Sequence, residues 1–272
     1  METSQTVERA FRVLACFSET EHELTAAEIA RRVGLTRTIV MRLLGTLVSA
    51  GYLERGERDA RYRVGLGAFE IGSLYVKSNP LFGVISETLA RLVDETGFTA
   101  YFGVMDGGEA VIVSHHEGSR PVRVTWTAGD RLPIATTAVG KAVLVHLSAA
   151  ELDRVLGKGK IAGRTERSIA TRRELDEDLA EAKRKGWVMT RGESVVGISA
   201  IGAGVVGPEG RPIGGISLSF LDLPEDKHDI ERIGALVREA AARISERAVT
   251  YALYGHRLMT AGAETRRPAR MT

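Results

Sequence analysis

Hydrophobic positions near the start of the chain repeat at helical spacing. Val7, Ala10, Phe11, Leu14 and Phe17 fall three or four apart with acids between them. The next run, TAAEIARRV (25–33), opens on Thr25 with Glu28 three residues on, the signature of a capping box. It turns Ile29 and Val33 inward beside the small Ala26 and Ala30, and Gly34 ends it. Thr36 then caps a second helix, RTIVMRLLGTLVSAG (37–51), which Gly51 closes. Its apolar stripe is Val40, Leu43, Leu44 and Leu47, while Arg37, Thr38, Met41 and Arg42 fall on the other side. Two helices joined by a short Gly-containing turn predict a helix-turn-helix. YLER (52–55) and RYRV (61–64), around a polar turn, predict a two-stranded wing.

The pattern changes after residue 64. Leu66, Phe69 and Leu74 make an apolar stripe on a linker helix that Pro80 breaks. Phe82, Ile85, Leu89 and Leu92 share one face of the next helix, ended by Gly97. TAYFGVMDGGEAVIVSHHEG (99–118) reads as a hairpin turning at Asp106, Gly107 and Gly108, and VRVTWTAG (122–129) as a further strand. TAVGKAVLVHL (137–147) predicts a short helix and TRRELDEDLAEAKRKG (171–186) a charged surface helix. A long helix carries Ile230, Ile233, Val237, Ala241, Ile244, Ala248 and Tyr251, with Asp222 expected as its N-cap near Pro224. The predicted class is α+β: a winged helix-turn-helix over 1–64, a linker helix over 65–79, and a mixed sheet with flanking helices over 80–255. A basic tail, 256–272, is expected to be disordered.

Between these helices lies SAIGAGVVGPEGRPIGGISLSF (199–220), where Gly202, Gly204 and Gly207 spell G-x-G-x-x-G with Asp222 twenty residues after the first glycine. A dinucleotide turn needs a helix directly after the glycines, since the helix N-terminus holds the pyrophosphate. Here Pro208, Gly210 and Pro212 follow, and then an alternating β-branched run. A hairpin fits better than an NAD(P) site. The other enzyme reading, a hydrolase, rests on GESVVG (192–197), one residue too long for a nucleophile elbow. His115 and His116 are adjacent on a strand, point to opposite faces and cannot share a metal. No enzyme activity, cofactor or metal site is expected.

Charge sharpens the reading of the first segment. The net charge of +2 over 272 residues favours no partner, but eight arginines between residues 31 and 63 face three acids, and no lysine precedes Lys77. That bias on a helix-turn-helix points to double-stranded DNA. Thr36, Arg37, Thr38, Met41 and Arg42 sit where base edges are read; Arg58, Arg61 and Arg63 in the wing suit phosphates. One such helix covers a half-site. A near-palindromic operator and a homodimer or dimer of dimers follow, with the linker stripe as a contact. Cys16, the single cysteine, reads as core and excludes an internal disulfide, and no run approaches the length of a membrane span, so a cytoplasmic protein is expected.

GLTRTIVMRLLGTLVSAGYLE (34–54) resembles the recognition helix of the IclR-type (isocitrate lyase regulator) bacterial transcription factors. The resemblance continues through YRVGLGAFEIGSLY (62–75), GDRLPIATTAVGKAVL (129–144) and GWVMTRGESVVGISAIGAGVVGPEGRPIGGISLSF (186–220). It implies a regulator whose body, similar to a GAF or PAS domain, binds a small and usually acidic metabolite. Carried over residue by residue, the effector positions are Ala138, Val139, Thr190, Ala200, Ser217 and Ser219. Members that bind glyoxylate- or pyruvate-like acids carry Asp and Cys where this chain has Thr190 and Ala200. That departure leaves a roomier, less polar site and favours a carboxylic acid with an aromatic body, such as a hydroxybenzoate.

Overall fold

A computed structural model describes residues 3–18, 20–57, 59–120, 126–157, 161–222 and 229–253. The chain divides into two compact units, with the boundary between Ser78 and Asn79.

In the first unit, helix α1 (Gln5–Leu14) is followed by α2 (Ala26–Val33) and α3 (Arg37–Ser49). The capping box at α2 forms as expected: the Glu28 amide donates to Thr25 Oγ1 and the Thr25 amide to the Glu28 carboxylate. Gly34 ends that helix in the left-handed region, at φ 66°. Thr36 occupies the N-cap of α3 without a side-chain capping bond, and Ala50 is the C-cap, one residue before Gly51. Val40, Leu43, Leu44 and Leu47 are buried with Ile29, Val33 and Leu53. The wing strands β1 (Leu53–Arg55) and β2 (Tyr62–Val64) pair antiparallel, Glu54 opposite Arg63, and Leu24 bridges to Tyr62. Cys16 lies beyond the end of α1, half-buried and packed against this core, with Sγ 3.4 Å from the Arg12 carbonyl. One detail differs from expectation. Val7 and Phe11 face outward, 53% and 65% exposed, because the face of α1 that meets the core carries Val13. Helix α4 (Leu66–Lys77) buries nothing: Leu66, Phe69, Ile71 and Leu74 are all more than half exposed.

The second unit is a six-stranded sheet with helices on both faces. Helix α5 (Leu81–Thr96), whose first amide is capped by Asn79 Oδ1, precedes the hairpin β3 (Thr99–Asp106) and β4 (Glu109–His116). The edge strand β5 is Arg131–Pro133, beyond the run expected over 122–129. Of that run, 122–125 lie outside the described residues, and Thr127 turns back on Asp130, its amide donating to the carboxylate at 2.7 Å. Helices α6 (Ala138–Leu144), α7 (Ala149–Leu156) and α8 (Arg172–Lys185) follow, then β6 (Val188–Arg191), β7 (Ile198–Val206), β8 (Pro212–Leu221) and α9 (Ile230–Leu253). The strand order is β5-β4-β3-β8-β7-β6. Among the described residues every pairing is antiparallel, not mixed as the sequence predicts, although the α/β layering is as expected. Tight hairpins connect β3 to β4, β6 to β7 and β7 to β8, and hairpins cannot make parallel pairs.

Strand alternation sorts the two faces. Ala100, Phe102, Ile201, Ala203, Ile216 and Leu218 pack with α5 and α9. The opposite face receives α6, and here the glycines are explained. Gly204, Gly215 and Gly103 are register partners across β7, β8 and β3. A Cβ on Gly215 would lie 2.4 Å from the Val139 carbonyl oxygen, one on Gly204 2.5 Å from that of Ala142, and one on Gly202 2.6 Å from that of Ala138. The row is a trench in which the backbone of α6 lies directly on the sheet. Asp222 is not a helix cap. The first turn of α9 is capped by Asp229, which accepts from the Arg232 amide at 3.0 Å, while Asp222, at the very end of β8, pairs with Arg191 at 3.4 Å. Pro224 and the tail lie outside the described residues.

Candidate nucleic-acid interface and effector cavity

On α3, the apolar stripe commits one side to the core, so the other must face water. Thr36, Arg37, Thr38, Met41 and Arg42 are all exposed, and neither Arg37 nor Arg42 is ion-paired within the described residues. The wing arginines are engaged locally. Arg63 pairs with Glu54 across the strands at 3.0 Å, and the half-buried Arg61 donates to the Glu23 carbonyl at 3.3 Å. Arg58 lies outside the described residues. Arg55, not singled out from sequence, stacks over the Tyr62 ring.

In the second unit, Ala138, Val139, Thr190, Ala200, Ser217 and Ser219 all line one cavity of about 40 Å³. The register shows why. Thr190, Ala200 and Ser219 form one row across β6, β7 and β8, and Gly202, Ser217 and Tyr101 form the next across β7, β8 and β3. Directly opposed residues share a face, so both rows look toward the first turn of α6, which supplies Ala138 and Val139. Ser217 and Thr190 are buried, and Ser219 is half-buried.

Sequence reading missed more than half of the lining: Tyr101, Ile112, Trp126, Leu132, Thr137, Ser194, Val195 and Ile198. The alternation of β3 and β4 could have pointed to Tyr101 and Ile112, but most of the others come from loops and strand ends with no periodic signal. The Tyr101 hydroxyl accepts from the Trp126 amide, and burial pushes its pKa up to about 12, so it stays a protonated donor at neutral pH. Ser194 Oγ donates to the Thr136 carbonyl, and Thr137 Oγ1 caps α6 by accepting from the Gly140 amide. Among the described residues no lining residue is charged. The lining is therefore hydroxyls set among apolar and aromatic walls.

Beside the cavity stands a buried ion cluster, also missed. Lys141, fully buried on α6, donates to Asp178 on α8 at 2.7 Å and to Glu193 at 2.8 Å. Burial raises the Glu193 pKa against the opposing pull of Lys141, and one Glu193 carboxylate oxygen has no hydrogen-bond partner among the described residues.

His115 stacks on Tyr101, whereas His116 bonds Ser86 from the other face, and no group of three metal-ligating residues occurs among the described residues. Gly202 and Gly204 of the G-x-G-x-x-G run hold a helix backbone where a dinucleotide would need space. Nor is any described helix long and apolar enough to cross a membrane.

A winged helix-turn-helix followed by a sheet domain with a hydroxyl-lined cavity defines a ligand-responsive transcription regulator. Residues 6–57 match the IclR helix-turn-helix domain, and residues 73–246 match the bacterial transcriptional regulator IclR C-terminal domain. The chain belongs to the IclR family. It is 30% identical to the HTH-type transcriptional regulator XynR of Escherichia coli (strain K12), over 91% of this chain and 98% of that one. An IclR transcriptional regulator from Alicyclobacillus acidocaldarius superposes with a TM-score of 0.82 at 24% identity, covering 91% of this chain and all of that one. An IclR homolog from Microbacterium hydrocarbonoxydans, solved with 4-hydroxybenzoate, does so with 0.77 at 23%, covering 89% and 98%.

Proposed function

We propose that this regulator binds a near-palindromic operator as a homodimer or dimer of dimers, without catalysing a reaction, and that its effector is a carboxylic acid with an aromatic body. DNA recognition is assigned to Thr36, Arg37, Thr38, Met41 and Arg42, with Arg61, Arg63 and Arg58 on the phosphates. Such a role places the protein in the cytoplasm with the chromosome. The exposed stripe of α4 supports dimerisation through that helix.

The effector reading rests on one observation: among the described residues the cavity combines hydroxyls with aromatic walls and holds no carboxylate. Ser217, Ser219 and Thr190 can each donate to a carboxylate oxygen. Burying an anion beside an acid is costly, so a lining without Asp or Glu favours an acid ligand. Tyr101, Trp126, Ile112, Leu132 and Val139 suit a flat apolar body. The Microbacterium relative's 4-hydroxybenzoate is the same chemical class, and it supplies the first probe.

The test is a thermal-shift panel of small acids on the unaltered chain, Ser217→Ala and Ala200→Leu. An aromatic acid should raise the Tm of the unaltered chain and lose most of that effect in both variants. Stabilisation by glyoxylate with none by any aromatic acid would overturn the effector class.

A further inference from the structure

The cavity is too small for the ligand class just assigned. About 40 Å³ is available, whereas a dry protein cavity that holds benzene measures about 150 Å³. Something has to move, and its position can be read from the hydrogen bonds. Residues 192–197 join β6 to β7 and contribute Ser194 and Val195 to the lining. The segment is flanked by Gly192 at φ 66° and Gly197 at φ 79°, conformations that favour glycine and leave two compliant ends. Its base is closed by the Gly192 amide donating to the Ile198 carbonyl at 2.8 Å.

Residues 164–168 grip this segment from outside. Thr165 Oγ1 donates to the Gly192 carbonyl at 2.7 Å, Ser168 Oγ to that of Glu193 at 2.7 Å, and Arg164 Nε to that of Ser194 at 3.3 Å. Three successive carbonyls are thus held by three side chains of one short turn. The Arg164 guanidinium also lies 5.5 Å from the centre of the Trp126 ring, another part of the lining. From inside, Lys141 holds the Glu193 carboxylate and the Thr136 carbonyl accepts from Ser194. Val196, beyond these anchors, is 70% exposed.

We infer that residues 192–197 are a hinged roof over the effector cavity and that Thr165 and Ser168 are positioning residues that keep it shut. Effector entry then waits on the breaking of their two bonds. The inference rests on reading this cavity as the effector site, but the roof can be tested without any ligand.

The experiment compares the unaltered full chain with Thr165→Val/Ser168→Ala, and with Ser148→Ala as a control. Ser148 caps α7 through a capping box and touches neither the roof nor its latch. Hydrogen exchange is followed at the Gly192 and Ile198 amides, both hydrogen-bonded at the base of the roof. Removing two donors should speed exchange at both by about tenfold or more, given the usual net worth of such bonds. Ser148→Ala should leave both rates unchanged. In stopped flow, 4-hydroxybenzoate should associate faster in the double variant and bind at least about threefold tighter, because the latched cavity does not hold it. Unchanged exchange in the double variant, or an equal rise in Ser148→Ala, overturns the roof. So does a weakened Kd carried by dissociation alone, which would mean the hydroxyls contribute to binding strength and not to gating. If 4-hydroxybenzoate fails to bind the unaltered chain, the effector class falls, and the exchange comparison still decides the roof.

Discussion

Replacing Lys141 by methionine should be among the most damaging single changes in the second unit. The two side chains are similar in length, so packing is nearly preserved and the loss is electrostatic. Lys141 is fully buried, with Glu193 8% and Asp178 27% exposed at the side chain. Removing one member of a buried ion pair strands the other, at a cost of about 3–5 kcal/mol. Here Glu193 already has one unpartnered oxygen, and burial already raises its pKa. Without the cation that pKa should rise further. A carboxyl whose folded pKa lies above its unfolded value is bound to a proton more tightly in the native state. Stability is therefore lost as pH rises from the ordinary carboxylate range through the raised folded value. Lys141→Met should consequently be closer to normal stability at pH 5 than at pH 7.5. Both tryptophans, Trp126 and Trp187, belong to this unit, so urea unfolding followed by their fluorescence reports on it alone. Adding Glu193→Gln should restore at least about 2 kcal/mol at pH 7.5, because the stranded charge is then gone. A cost below about 1 kcal/mol for Lys141→Met, or no recovery in the double variant, would refute the assignment of Lys141 as the compensating charge.

Gly215→Ala sets a Cβ 2.4 Å from the Val139 carbonyl. It should lower stability by about 1–3 kcal/mol and weaken any effector response by lifting α6, which urea titration and thermal shift would register. Arg42→Ala should cost operator binding about 1–3 kcal/mol and relax specificity at one position, whereas Arg61→Ala should weaken all sequences alike and lower the salt slope by about one. Gel shifts at several salt concentrations separate the two, and operator binding unaltered by both would reject the groove assignment. Leu74, 57% exposed on α4, should matter for assembly. Leu74→Asp is expected to shift sedimentation at micromolar concentration toward monomer, and no shift would remove α4 from the interface.

The helix-turn-helix, the wing, α5, α8 and the body of α9 were legible in the sequence because each depends on local physics. A capping box, a glycine terminator or a stripe at three and four residue spacing acts within a few residues. The recognition stripe of α3 is one such case: once Val40, Leu43, Leu44 and Leu47 are committed inward, Arg37 and Arg42 have to face water. The sequence also showed that Ser217 and Ser219 share a face, since strand period alone decides that. It did not show what faced them. Whether Gly202 admits a ligand or a helix depends on α6, sixty residues earlier in the chain, lying in the trench of Gly204, Gly215 and Gly103. Helical periodicity likewise misjudged Phe11 and Val7, because a stripe says which residues share a side but not which side meets a core. The cap at Asp222 failed for the same reason: capping is settled by what arrives alongside. Lys141, Asp178 and Glu193 carry no pattern that links them. Only the docking of α6 between α8 and the β6–β7 connection buries the lysine, and burial is what turns three ordinary surface-type residues into a tightly held ion cluster.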